Sequence, residues 1–388
     1  MKEGLPDLRE IPSCIGGDPK SRRGIVVAKS IPAKKYGVTT GEPVSMALRK
    51  CPELVCVPGD FALFETCSRA FKKICASYAP VMESFSIDEV FLDMSGTQKI
   101  YPDPVKLACE IKDRIREELG FTVNIGIGTN KLLAKMASDF EKPDKVHTLF
   151  PAEIPTKMWP LPVRDLLFLG KASEQKLIKA GIKTIGEMAR YPETEIQRLL
   201  GEKTGHQLYE YANGRDDSPV RGEREEAKGY SAETTTEEDI VTYEQAFSLL
   251  LAQCDVVAAR MRIDGKKCSC VSVTYRMLDF RTRSHQKKLG NPTDVTEEIF
   301  VQVKNLLYEC WQCQPLRLIG VALTDLTSDD FRQMSLFENT ENHEKQKKVD
   351  GVVDDIRKRF GNGMIVRGST MKTADKVARK AKAQMDLH

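Results

Sequence analysis

The run Phe85-Ser86-Ile87-Asp88-Glu89-Val90-Phe91-Leu92-Asp93 constrains the fold more than any other stretch of the chain. Apolar side chains on both faces of Val90-Phe91-Leu92 predict a strand buried in a sheet, and two adjacent carboxylates stand at its start. Desolvated together, such a pair costs several kcal/mol unless a cation compensates it, and a divalent metal is the economical compensation. Successive side chains on a regular strand point to opposite faces. Asp88 and Glu89 can therefore serve one metal cluster only at a hairpin tip or a bulge.

The 388 residues are 41% hydrophobic and 30% charged, enough for several cores and for about two to four domains. No run approaches the roughly 18 apolar residues of a membrane span, and Met1-Lys2-Glu3-Gly4-Leu5-Pro6-Asp7 lacks the apolar core of a signal peptide. The expectation is a cytoplasmic protein with no membrane partner. Eleven cysteines follow no regular framework and read as reduced thiols. Cys310-Trp311-Gln312-Cys313 has only Cys268-Ser269-Cys270 as a close partner pair, and strand spacing is not zinc-ligand spacing.

A net charge of +3 advertises no global field, but local segregation does. Arg260, Arg262, Lys266, Lys267, Arg276, Arg281, Arg283, Lys287 and Lys288 face only Asp264 and Asp279 in the same stretch, and together they predict one basic sheet face. Such a face is the footprint expected for tracking phosphates. Acidic residues gather at Glu237, Glu238, Asp239, Glu297 and Glu298, which read as flanking helices.

Along the chain, a loop-rich basic stretch contains the strand Ile25-Val26-Val27-Ala28. Helical spacing covers 61–78 and 105–119, the latter with a stripe of Leu107, Ile111 and Ile115. Residues 122–128 alternate as a strand, and Asn130 opens a helix that must end before Pro143. Residues 151–222 read as helical. Helix 243–262, β-rich runs 269–277 and 284–289, helix 296–310 and strand 316–323 form a last compact domain. Beyond it, 338–348 reads as a polar charged run, order returns at 352–360 and 363–367, and the basic end 372–382 reads as frayed. The class is α+β.

Ser-Ile-Asp-Glu-Val-Phe-Leu-Asp at 86–93 resembles the second metal-binding motif of the Y-family (DinB/UmuC type) translesion DNA polymerases, and the resemblance runs in order over about residues 4 to 337. It implies a right-hand architecture: fingers with a remnant of palm at 1–60, palm at 61–150, a helix-hairpin-helix thumb at 151–225, an α/β little finger at 228–328 and a tail at 329–388. It implies low-fidelity, template-directed dNTP addition with two Mg2+ ions, about 3.5 to 4 Å apart in such sites. Asp88 would bridge the ions and Glu89 would hold the one near the primer hydroxyl. The family's third ligand lies in an Asp-x-Asp-x-Phe/Tyr motif, and Leu5-Pro6-Asp7-Leu8-Arg9 resembles the text just after it. The expectation is that this segment is missing and catalysis by the chain is impaired.

In the segment resembling the fingers, Lys34 takes the place of an arginine and Ile31 that of a tyrosine on the triphosphate, and Lys142 matches a further cationic contact. Gly126-Ile127-Gly128-Thr129-Asn130-Lys131 lacks the Walker spacing and reads as tight packing below the site, in a family pattern that continues through Lys135. Leu169-Gly170-Lys171-Ala172 with Gly181-Ile182 resembles a helix-hairpin-helix whose Gly170, Lys171 and Gly181 would meet DNA phosphates, with Ala172 where a second glycine is common. Arg276, Arg281 and Arg283 would meet DNA from the basic sheet. Gln333-Met334-Ser335-Leu336-Phe337 resembles a sliding-clamp-binding peptide, with Gln333, Leu336 and Phe337 as its anchors. Partners implied are primer-template DNA, dNTPs and the clamp, for a monomer. Two rivals stay open: a non-catalytic DNA- and clamp-binding remnant, and another palm-type enzyme such as a nucleotide cyclase.

Overall fold

The computed structural model describes residues 7–19, 22, 24–223, 226–328, 340–361 and 363–370. The peptide Gln333, Leu336 and Phe337 and the basic run 372–382 lie outside the described residues. The chain divides into two compact units, one of residues 1–62 with 226–388 and one of residues 63–225.

The N-terminal part of the first unit is a small three-stranded sheet. Strand β1 (Ser13–Gly16) pairs antiparallel with β2 (Val26–Lys29) and parallel with β3 (Val55–Val57). Two short helices follow β2, α1 (Ile31–Lys35), capped by the Ser30 hydroxyl accepting from the Ala33 N–H, and α2 (Val44–Lys50). Cys14, Val26, Ala33, Val44, Ala47 and Leu54 fill the core.

The second unit opens with α3 (Phe61–Ala76), whose first two residues precede it, and the antiparallel ribbon of β4 (Val81–Ser84) and β5 (Val90–Asp93). Helix α4 (Pro104–Leu119) starts at Asp103, whose carboxylate accepts from the N–H groups of Val105 and Lys106, and stops at Gly120, where φ is 74°. Its predicted stripe of Leu107, Ile111 and Ile115 is buried against Phe71, Ile74 and Cys75 of α3, with Val90 and Leu92 packed alongside. β5 is half-buried along its length rather than buried. One face of the ribbon meets α3 and α4, while Phe91 on the other meets Phe85.

Strand β6 (Ile125–Gly128) pairs parallel with β7 (Val146–Leu149), with α5 (Lys131–Ser138) between them in sequence. The strand begins later than the alternation from Thr122 predicts. Asn124 is used as a connector, donating to the carbonyls of Ser138 and Glu141 and accepting from the Lys145 N–H. A Cβ on Gly126 would lie 1.9 Å from the Ala134 carbonyl oxygen, so this glycine lets the strand touch α5. After short helical turns between Pro151 and Asp165 come the α-helices α6 (Lys171–Lys179), α7 (Ile185–Arg190), α8 (Glu193–Leu200) and α9 (Glu202–Ala212). Leu177, Ile185, Met188, Ile196 and Leu208 share a core with Leu132, Leu133 and Met136 of α5.

The C-terminal part of the first unit is a four-stranded antiparallel sheet of β8 (Gly229–Ile240), β9 (Lys267–Met277), β10 (Thr282–Thr293) and β11 (Leu316–Thr327), ordered β10-β9-β11-β8. Helices α10 (Tyr243–Ile263) and α11 (Thr296–Cys310) bury one sheet face, where Leu250, Val257, Val303 and Leu307 meet Val271, Val273, Ile319 and Val321. Each such side chain contributes about 1.5–3 kcal/mol relative to exposure. Helix α12 (Thr340–Phe360) takes in most of the charged run that reads as irregular in the sequence. Its charges find partners on α10 and α11: His343 with Glu298, Asp354 with Arg262, and Arg357 with Asp255. No helix among the described residues is long and apolar enough to cross a membrane, and all eleven cysteines are free thiols.

Candidate active site

The Asp88–Glu89 pair stands at the tip of the β4–β5 ribbon, one of the two placements that the strand alternation allowed. The N–H groups of Phe85 and Ser86 both donate to the Glu89 carbonyl, at 3.0 and 3.1 Å, and close the turn. The Ser86 hydroxyl donates to Asp88 Oδ1 at 2.6 Å, and the Ser68 hydroxyl of α3 donates to the Ile87 carbonyl. The tip is thus tied both internally and to a helix. Asp88 is exposed and Glu89 half-buried.

A ladder of alternating charge runs away from the tip along α5. Lys135 Nζ lies 2.5 Å from Glu89 Oε1 and 3.1 Å from Asp139, and Lys142 Nζ lies 2.7 Å from Asp139. Burial works against the Lys135 ammonium, but the hydrogen bonds it donates to Glu89 and Asp139 outweigh it and leave its pKa raised. Burial likewise pushes the Asp139 carboxyl up, and Lys142 and Lys135 together bring it below its ordinary value. One turn earlier, Lys131 holds Glu83 through both carboxylate oxygens, at 2.9 and 3.0 Å, and the Arg221 N–H adds a third bond to that carboxylate. Sequence reasoning assigned no role to Lys135, Lys131 or Asp139. Their spacing of four, which puts them on one helix face, was the available signal.

Lys142 is exposed and precedes a turn at Asp144, φ 61°, whose carboxylate pairs with Lys112 and Arg116 of α4 at 3.2 and 2.6 Å. Lys34 lies in the other unit, exposed in the last turn of α1. The tip offers two hard carboxylate donors, and among the described residues no group of three or more His, Cys, Asp or Glu is gathered for a metal ion. This donor set fits Mg2+, which is commonly held by one or two carboxylates together with substrate phosphates.

Gly170 starts α6 without a side-chain cap, leaving the first-turn N–H groups open beside the exposed Lys171. Gly181 adopts φ 86° in the turn toward α7, which is closed by a reciprocal Thr184–Glu187 capping box. The left-handed residue before α6 is Phe168, φ 63°, whereas Ala172 lies within the first turn of the helix. On the C-terminal sheet, β10 is exposed from Thr282 to Lys288 and displays Arg283 and Lys287. Arg281 stands in the exposed β9–β10 turn, and Arg276 on β9 donates to Thr282 at 2.8 Å.

The predicted basic face is smaller than its sequence count. Arg260 and Arg262 sit in the last turn of α10, where Arg260 is buried and Arg262 is neutralised by Asp354 and Asp350 at 2.6 and 3.4 Å. Glu237, Glu238 and Asp239 belong to β8 rather than to a helix.

The sequence matches the impB/mucB/samB family over residues 2–139, the C-terminal domain of that family over 227–336, and the thumb domain described for DNA polymerase-iota over 164–216. It is 41% identical to DNA polymerase IV of Clostridium acetobutylicum, over 95% of this chain and 93% of that one. The chain belongs to the Y-family DNA polymerases. Another similar member is DNA polymerase IV 1 of Bacillus subtilis, 35% identical over 95% of this chain and 89% of its own. Among solved Y-family structures, a Dbh–Dpo4 chimera superposes with a TM-score of 0.70 at 21% identity, covering 82% of this chain and 92% of that one. DinB from Sulfolobus solfataricus gives 0.54 at 22% identity, covering 81% and 92%. These likenesses agree with the α+β polymerase fold, and the thumb match encloses the turn of Gly170, Lys171 and Gly181. The chain is, by family, a DNA-directed DNA polymerase of the translesion class.

Proposed function

We propose that the Asp88–Glu89 tip is the catalytic metal site of this polymerase and that it serves template-directed dNTP addition with release of pyrophosphate. The observation that carries the reading is the pair's position on one pinned turn beside the Glu89–Lys135–Asp139–Lys142 ladder. When bound, two Mg2+ ions would supply the charge that favours a deprotonated primer 3′-hydroxyl and neutralises the triphosphate. Asp88 would help hold both ions, and Glu89, oriented by Lys135, would help hold the one near the primer hydroxyl. Lys142 and Lys34 contribute positive charge to the triphosphate, without the bidentate fork an arginine would bring.

The open N–H groups at Gly170 and Lys171, with the turn at Gly181, hold backbone phosphates without reading bases. Arg276, Arg281 and Arg283 track phosphates from the exposed sheet. Gln333, Leu336 and Phe337 are proposed to tether a monomeric, cytoplasmic enzyme to the sliding clamp, which raises its local concentration at the primer end. The small N-terminal module, read as fingers, encloses the nascent pair loosely, which suits damaged templates and low fidelity.

Primer extension tests the site. Asp88→Ala is expected to cut extension by about a hundredfold or more while leaving primer-template affinity near the parent value, and equal extension by the variant sinks the assignment. The rival of a DNA- and clamp-binding chain without catalysis draws on the two-carboxylate donor set. It is favoured if the parent chain binds primer-template and adds no nucleotide.

A further inference from the structure

Phe168 breaks a backbone rule and hides little surface in return. Its φ of 63° is one that bulky L residues adopt only at a cost, and its side chain is 61% exposed. The ring centre lies 6.3 Å from Phe85 and 6.3 Å from Tyr211 of α9. Phe85 is itself 40% exposed and meets Phe91 of β5 edge-to-face at 5.3 Å. A row of four rings therefore runs from β5, through the tip that bears Asp88 and Glu89, to the loop ahead of α6 and on to α9. All four belong to one compact unit. Strain held at an exposed aromatic residue marks a functional position more often than a packing one.

We propose that Phe85 and Phe168 form a subsite for the deoxyribose rings of the primer's last two nucleotides. The proposal rests on the reading of Asp88 and Glu89 as the metal pair, because that reading brings the primer 3′ end to the tip. Phe85 lies three residues before Asp88 in the same turn, and Phe168 lies two residues before the open N–H groups of Gly170 and Lys171. A strand with its hydroxyl at the tip and its phosphates at α6 passes over the ring pair. In a paired primer end the base faces are stacked and the pairing edges are taken by the template. What the strand offers a protein is sugar, phosphate and groove edge. Phenyl rings form no hydrogen bonds of ordinary strength, so they suit the C2′ methylene of DNA. A 2′-hydroxyl pressed against them would lose water without gaining a partner, and that hydroxyl is what distinguishes RNA from DNA at a contact. The subsite thus selects the sugar of the primer end, independently of the incoming nucleotide.

Fluorescence anisotropy on the full chain tests this, using primer-templates that are all-deoxy or carry one ribonucleotide at the last or next-to-last primer position. The parent protein is expected to bind the all-deoxy end about fivefold to thirtyfold more tightly. Phe168→Ala and Phe85→Ala should weaken binding of the all-deoxy end and bring the ratio to within about twofold of unity. Equal binding of both ends by the parent, or an unchanged ratio in the variants, overturns the proposal.

Phe168→Gly separates a contact role from a structural one, because glycine adopts the left-handed turn without strain. Its melting temperature should not fall while its affinity for the all-deoxy end does. A lower melting temperature with parental DNA affinity would make the rings a brace between hairpin and helices and overturn the subsite. Asp88→Asn keeps the two readings apart. It should lose extension and retain the sugar preference, whereas parental extension with a retained preference would sink the metal reading and leave the subsite standing.

Discussion

Two antiparallel ribbons of this chain carry opposite charge in opposite ways. The β4–β5 ribbon sets two of its four carboxylates, Asp88 and Glu89, side by side at one turn, ties that turn to α3 through Ser68, and meets Glu89 and Glu83 with lysines of α5. The β9–β10 ribbon spreads Arg276, Arg281, Arg283, Lys287 and Lys288 along an edge whose outer strand is exposed, over a core that buries the opposite face of β9. A metal ion needs a point of charge held in place, and a nucleic acid backbone needs a line of charge free to adjust. The end proposed to hold the metal is the one built with hydrogen-bonded, partly compensated side chains.

The largest effect expected from this contrast is at Asp88. Alanine there should lower the rate of nucleotide addition by about a hundredfold to a thousandfold, the usual loss when one preorganised electrostatic contact is removed, with DNA affinity nearly unchanged in a filter-binding or anisotropy titration. The triple variant Arg276→Ala, Arg281→Ala, Arg283→Ala should do the reverse. Its affinity should fall and the slope of log affinity against log salt should flatten by about three, roughly one per lost phosphate contact. A triple variant that left the salt slope intact would break the comparison. Between these in kind is Gly126→Ala, where β6 packs on α5. Its new methyl would meet the Ala134 carbonyl at 1.9 Å, so a loss of about 1–3 kcal/mol or more is expected in urea unfolding.

Much of this was legible before any coordinates. The apolar stripe of α4, the Asn130 cap of α5 and the bounds of α11 follow from local spacing and capping, which is why they fall where periodicity predicts. The tip was legible as a conditional, since alternation forbids two adjacent carboxylates from serving one ion on a regular strand. What stayed hidden was set by distant partners. Lys135 meets Glu89 across 46 positions, and Arg262 is removed from the basic face by Asp354, 92 positions away on a helix whose first half reads as a solvated charged run. The left-handed turn at Phe168 was hidden for another reason: the glycine signal that usually announces such a turn is absent.

The smallest expected effect probes how the acidic ribbon is compensated. The Asp139 carboxyl is held below its ordinary 3.8, so its contribution to stability is complete above that pH and is lost as pH falls through the lower folded value. Lys135 is held above its ordinary 10.5, so its share is complete below that pH and lost as pH rises through the higher folded value. The shares of Asp139 and Lys135 are thus both complete across the interval between about pH 4 and pH 10. Asp139→Asn should remove part of the acid limb, narrowing the difference in unfolding free energy between pH 7 and pH 3 by at most about 1 kcal/mol, because nearly half of the side chain is exposed and screened by solvent. The same substitution should leave the salt slope of DNA binding untouched. A change in that slope would mean that the ladder and the basic ribbon act on the same phosphates, and the division between a point and a line of charge would fail.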